Sequence, residues 1–172
     1  MLTALEAEPQ GNSVGLNTLN LGDSAYMILR PERGEAAVNK LFRSVSQQSR
    51  FNCPYQTGMR SSRPPSKLAK VNSHRVQHND IVILATDGVT DNLFDEEIIS
   101  ECIRPYLRAD GEFPRLKDAA LCISAKAECT SYSKTVETPW TISAVADGRK
   151  REKEIGGKED DITVIVAQVK FQ

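Results

Sequence analysis

The chain has 172 residues, 40% of them hydrophobic and 26% charged, which suits one globular domain, or a large piece of one, with a core of ordinary size. Its 22 Lys and Arg nearly balance its 23 Asp and Glu, for a formal net charge of −1. That balance argues against the one-sided basic surface of nucleic-acid binding or of electrostatic membrane anchoring. No run reaches the ~18 apolar residues of a membrane span, and "MLTALEAEPQGN" has neither the basic nor the apolar segment of a secretory leader.

Residues 13–30, "SVGLNTLNLGDSAYMILR", are two apolar stretches around Gly22-Asp23-Ser24, which predicts a β-hairpin. Residues 31–70 are polar and rich in Ser, Arg and Pro, and predict a long surface loop or flap. "HRVQH" at 74–78 reads as a short strand, its two histidines as surface residues. Asn79-Asp80 then turns the chain into Ile81-Val82-Ile83-Leu84-Ala85, whose unbroken apolarity predicts a strand buried on both faces.

Asp95, Glu96 and Glu97 form the acidic first turn of a helix that continues through Ile98, Ile99, Cys102, Ile103, Tyr106 and Leu107, with Pro105 limiting its end. A second helix is expected from about Pro114, with Leu116, Ala120, Ile123 and Ala127 on one face. Residues 130–158 read as polar and irregular, with Trp140 as a packing anchor and "GRKREKE" at 148–154 on a solvated loop. "ITVIVAQVKF" closes the chain with the composition of a central strand. The order of elements predicts an α+β arrangement in which helices cover one face of a sheet.

Cys53, Cys102, Cys122 and Cys129 include no C-x-x-C pair, and only His74 and His78 are at hand to complete a zinc set. Free thiols in a reducing, intracellular compartment are the expectation.

Acidic residues fall at strand ends: Asp23 in the turn, Asp87 after "IVILAT", and Asp160-Asp161 before the last strand. If those strands are neighbours, the carboxylates share a small volume, where they repel unless a hard cation such as Mg²⁺ or Mn²⁺ lies between them. Asp is also an ordinary turn residue, and each of these positions taken singly has that simpler reading. A calcium loop starting at Asp87 fails, because Val89 and Asn92 stand where an acceptor and a glycine are needed. A phosphoaspartyl nucleophile two residues before Asp87-Gly88 fails too, since that residue is Ala85.

"NLGDSAYMILR", "DIVILATDGVTDNL" and "GGKEDDITVIVAQV" closely resemble, in spelling and order, motifs of the type 2C metal-dependent protein phosphatases, and "RFNCPYQTG" at 50–58 resembles the branch with mitochondrial and plastid members. The resemblance covers nearly the whole chain. It implies an α/β/β/α sandwich of antiparallel sheets, of which this chain would be a partial version with the N-terminal half missing. It also implies a Mg²⁺ or Mn²⁺ centre whose activated water hydrolyses phosphoserine or phosphothreonine in a protein substrate.

Carried over residue by residue, Asp87 and Asp160 match core metal ligands, and Asp23 and Asp91 match a weaker third site. Asp161, with Gly88, takes a supporting hydrogen-bonding place. The family's Asp-Gly-x-Gly-Gly motif, which supplies a carboxylate shared by both metals, is not in this chain: its Asp-Gly pairs at 87–88, 110–111 and 147–148 lack the following glycines. The expectation is therefore the C-terminal part of one catalytic domain, 1–172, poorly active by itself and a partner for the missing half. The alternative is a non-catalytic interaction module on the same scaffold.

Overall fold

The structure, a computed structural model, describes residues 2–10, 13–32, 34, 37–58, 64–149 and 154–171. The basic 148–154 cluster lies mostly outside the described residues. Strands β1 (Leu2–Gln10) and β2 (Ser13–Asn20) are antiparallel neighbours. They are followed by β3 (Ala25–Pro31), β4 (Val38–Arg43), the short pair β5 (Gln48–Arg50) and β6 (Cys53–Pro54), and a single turn α1 (Pro65–Leu68). Then come β7 (Lys70–Gln77) and β8 (Ile81–Ala85). Two antiparallel sheets result, one in the order β1-β2-β7 and one in the order β4-β3-β8 with a last strand, β9 (Val164–Gln168), at its edge.

The hairpin expected over 13–30 is not formed. β2 pairs with β1 and β7, whereas β3 pairs with β4 and β8, so the chain changes sheets at Gly22-Asp23. A tight turn looks alike in sequence whether its strands pair or part. The partner strands decide, and here they give Tyr26 and Ile28 a face to share with Leu16 and Val76 between the sheets. The buried Tyr26 hydroxyl is satisfied there by the Thr18 hydroxyl at 2.6 Å, His74 Nε2 at 2.9 Å and the Asn72 amide at 3.2 Å. His74 also packs on Phe42, so it is a structural residue of the sheet interior rather than a surface one.

The other face of the second sheet carries Met27, Leu29, Ile81, Ile83 and Ala85, which pack against the helices. Of the two faces expected to be buried in β8, this one is fully buried, while Val82 and Leu84 on the other are partly buried between the sheets. The helical layer begins with α2 (Asp87–Thr90) and α3 (Asp95–Glu97), which runs on into a π-helical stretch at Ile98–Ile103 and a 3₁₀ turn at Arg104–Tyr106 around Pro105. Ile98, Ile99, Cys102 and Ile103 are buried as their spacing predicts. In α4 (Leu116–Ser131), Ala119, Ile123, Ala127 and Ser131 recur every fourth residue on the buried face, and Leu116 packs partly buried against the same core; of the expected stripe only Ala120 is displaced, its place taken by Ala119. The described residues thus form an α+β molecule of three layers: sheet, sheet and helices.

Three further expectations are corrected. The stretch 31–70 is no single loop, because β4 lies inside it as an edge strand whose Asn39, Lys40 and Arg43 mask the strand pattern. Residues 130–158 contain α5 (Pro139–Ala146), opened by Thr138, whose hydroxyl accepts from the Thr141 N–H, with Pro139 at the first helical position. Cys102 and Cys122 are joined in a disulfide between the π-helical stretch and α4, while Cys53 and Cys129 are free.

Candidate metal centre

The register of the second sheet builds the site. Ala25 pairs with Ala85, and Ala85 with Val164. Because the strands are antiparallel, Asp23, two residues before β3, Asp87, two after β8, and Asp160 and Asp161, shortly before β9, all emerge at one end. α2 adds one more, since Asp91 lies four residues, about one turn, beyond Asp87 and so on the same face. Carboxylate oxygens of Asp87, Asp91 and Asp160 come within 4.8 Å of one another. Asp23 lines the same cleft as Asp87 and Asp91 and feels the charges of Asp87, Lys158 and Asp160.

Two close approaches bring these ends together. A Cβ at Gly88 would lie 2.5 Å from the Asp161 carbonyl oxygen, so only glycine lets α2 meet the 160–163 segment. The Thr86 hydroxyl donates to the same carbonyl at 2.8 Å and accepts from the Thr163 N–H at 2.9 Å. It is therefore the backbone of Asp161, more than its side chain, that supports the site. The Asp161 side chain is exposed and lines a second cavity together with Asp160, Glu128 and Glu159.

A residue that the sequence reading passed over occupies the middle. Lys158 Nζ lies 2.7 Å from Asp91, 2.9 Å from Asp160 and 3.1 Å from Asp87. The only signal was a lysine two places before the Asp-Asp pair. Burial opposes its charge, but the contacts to Asp91, Asp160 and Asp87 outweigh that and hold its pKa above the ordinary value. Asp160 is held below the carboxylate range, chiefly by its bond from Lys158. Asp91 is pushed up because burial outweighs the same lysine, and Asp23 is pushed up by burial and then by Asp87. One cation is too little charge for this cluster.

A cleft of about 340 Å³ opens over Asp23, Asp87 and Asp91, walled by Arg43, Phe51 and Trp140. The rings of Phe51 and Trp140 lie 6.3 Å apart, and the backbone N–H of Trp140 donates to the Asp91 carbonyl at 3.0 Å. Trp140 is thus part of the cleft wall as well as a packing residue. Arg43 is held by Asp95 at 3.2 Å and by the Ser44 carbonyl at 2.8 Å.

Comparison with known proteins gives this geometry a setting. A PTC7-homolog protein phosphatase, fig, of Drosophila mojavensis is 37% identical over 161 residues, covering 90% of this chain and 48% of the relative. Probable protein phosphatase 2C 1 of Oryza sativa is 31% identical over 163 residues, covering 90% of this chain and 45% of the relative. The solved structure of the photosystem II phosphatase PBCP superposes with a TM-score of 0.75 at 29% identity, over 92% of this chain and 62% of that one. Over nine-tenths of its length the chain is similar to type 2C protein phosphatases. No family model matches the sequence. The chain spans about half the length of the curated relatives it matches. Type 2C phosphatases are metal-dependent, and Asp87, Asp91 and Asp160 are a group that could hold a metal ion. Among the described residues, no helix is long and apolar enough to cross a membrane.

Proposed function

We propose that this chain supplies one side of the active centre of a metal-dependent protein serine/threonine phosphatase. The observation that carries this reading is the convergence of Asp87, Asp91 and Asp160 on a single cation, the Lys158 ammonium, which stands where a harder and more highly charged ion fits a carboxylate set better. In this reading Asp87 and Asp160 hold Mg²⁺ or Mn²⁺, and Asp23 and Asp91 hold a weaker further ion. Gly88 and the Asp161 backbone keep the two carrying segments in contact. Bound there, the ions would supply an acidified water as nucleophile and offset charge on the phosphoryl group.

The substrate is a protein phosphoserine or phosphothreonine, received in the cleft between Phe51 and Trp140, with Arg43 as the nearby cation. A further segment carrying Asp-Gly-x-Gly-Gly completes the centre, and this chain alone is poorly active. Supporting such a partner is β9, which has the composition of a central strand yet lies at a sheet edge, with Ile165 exposed. The likeness of residues 50–58 to mitochondrial and plastid members supports a location in one of those organelles.

The test is calorimetric titration with Mn²⁺ and Mg²⁺, beside phosphate release from phosphothreonine and phosphoserine peptides. Metal binding lost on Asp87→Asn and on Asp160→Asn, with turnover that rises when an Asp-Gly-x-Gly-Gly segment is supplied, is the expected result. Metal binding that survives both substitutions overturns the site. Metal binding with no turnover under any supplementation favours the non-catalytic module.

A further inference from the structure

Lys158 is held in place far more elaborately than a surface lysine needs. Its backbone N–H donates to Asn92 Oδ1 at 2.9 Å, and its carbonyl accepts from Asn92 Nδ2 at 2.8 Å, so one buried amide grips both sides of the residue. The same Asn92 Nδ2 donates to the Gly88 carbonyl at 2.8 Å, which ties the lysine to the helix that carries Asp87 and Asp91.

The preceding residues are fixed as well. Gly157 donates to the Ser133 carbonyl at 2.9 Å, and a Cβ there would lie 2.1 Å from the Thr130 carbonyl. The Thr138 hydroxyl, which opens α5, donates to the Gly156 carbonyl at 3.1 Å. The ends of α2, α4 and α5 therefore all fix the backbone from which Lys158 extends. Only its four-carbon stem is free to turn, and its head sits among three carboxylates.

We propose that Lys158 is a tethered counter-cation: its ammonium balances Asp87, Asp91 and Asp160 when no metal is bound, and leaves by side-chain rotation, the backbone staying fixed, as a divalent ion enters. This rests on the reading of the three aspartates as a metal site. The arrangement makes metal loading an exchange of one cation for another. The tethered ammonium is present at high effective concentration and cannot diffuse away, so it lowers the affinity for the ion while protecting the empty cluster from its own repulsion.

Both halves of that statement are measurable on the whole chain. Mn²⁺ binding by calorimetry is compared among the wild type, Lys158→Met, Lys158→Arg and the distant control Lys170→Met, with melting temperatures in EDTA and in Mn²⁺. Removing a competitor with three charged contacts is expected to tighten Mn²⁺ binding by about tenfold or more in Lys158→Met, while Lys158→Arg and Lys170→Met stay near wild type. In EDTA, Lys158→Met melts lower than wild type, and its gain on adding Mn²⁺ is larger. A merely structural lysine would lower the EDTA value without enlarging that gain.

Lys158→Gln serves the same comparison if Lys158→Met does not fold. Equal or weaker Mn²⁺ binding in the uncharged variants overturns the proposal. Adding Asp87→Asn to each protein separates the two readings. If binding disappears with that change but was indifferent to Lys158, the counter-cation fails and the metal site stands. If binding persists, the metal reading itself fails and this proposal with it.

Discussion

The two ends of the second sheet handle buried charge in opposite ways. At one end Arg30 reaches Asp80 with two bonds, Nε to Oδ1 at 2.8 Å and Nη2 to Oδ2 at 2.7 Å, and the Gln77 N–H adds a third to Oδ2 at 2.8 Å. Asp80 is wholly buried, and one guanidinium with one amide fills its acceptors. At the other end, roughly 17 Å along β8, one ammonium is divided among three carboxylates, with Asp23 close by as a fourth. The first arrangement is a finished ion pair that holds β3 to the β7–β8 turn. The second is left short of positive charge, which is what a site kept for an incoming cation requires.

The largest expected effect tests the finished end. Arg30→Met leaves the Asp80 carboxylate buried without its partner, and is expected to cost about 3 kcal/mol in urea unfolding. Mn²⁺ binding at the far end should stay unchanged. A loss no larger than that of an ordinary surface substitution would erase the contrast between the ends.

The finished end was silent in the sequence, where Asp80 reads only as a turn residue beside Asn79 and nothing links it to Arg30. The acidic end was partly legible. Asp87, Asp91 and Asp160 stood in motifs at the ends of apolar runs, and β8 and β9 could be read because both faces, or their β-branched content, exclude other structures. What decided the rest was pairing between distant segments. The Gly22-Asp23 turn could not reveal that its two strands join different sheets, although that crossover is what carries Asp23 to the site. β4 was hidden by the charges that suit an edge strand, α5 by its eight residues, and Lys158 by standing in a polar run whose neighbours drew attention to themselves.

A smaller effect is expected from Gly88→Ala, which examines how tightly the acidic end is closed. The added methyl would meet the Asp161 main-chain carbonyl at 2.5 Å, and because a Cβ is fixed by its own backbone, neither side can rotate away. The cost is expected to be about 2 kcal/mol. The shift should also part Asp87 from Asp160, so that Mn²⁺ affinity falls together with stability. Arg30→Met should separate these two quantities and Gly88→Ala should couple them. Coupling in both, or in neither, would mean that the two ends do not differ in kind.

The smallest expected effect has the opposite sign. Asp91 is only partly exposed, and burial raises its pKa above the ordinary 3.8 despite its bond from Lys158. A carboxyl with a raised folded pKa binds its proton more tightly in the native state. Stability therefore falls as pH rises from the unfolded value through the folded one, and at neutral pH the charge is a net burden. Asp91→Asn removes that burden and leaves Lys158 with Asp87 and Asp160. It is expected to stabilise the metal-free protein at pH 7 by up to about 1 kcal/mol. The advantage should shrink as pH falls toward 3.8, where the wild-type carboxyl is itself becoming neutral. Urea midpoints of both proteins in EDTA, at pH 7 and near pH 4, measure this directly. If Asp91→Asn is instead the less stable protein at pH 7, the Lys158 contact outweighs the cost of burial. The acidic end would then be a second structural ion pair like that of Arg30 and Asp80, and its shortage of positive charge would no longer argue for a cation from outside.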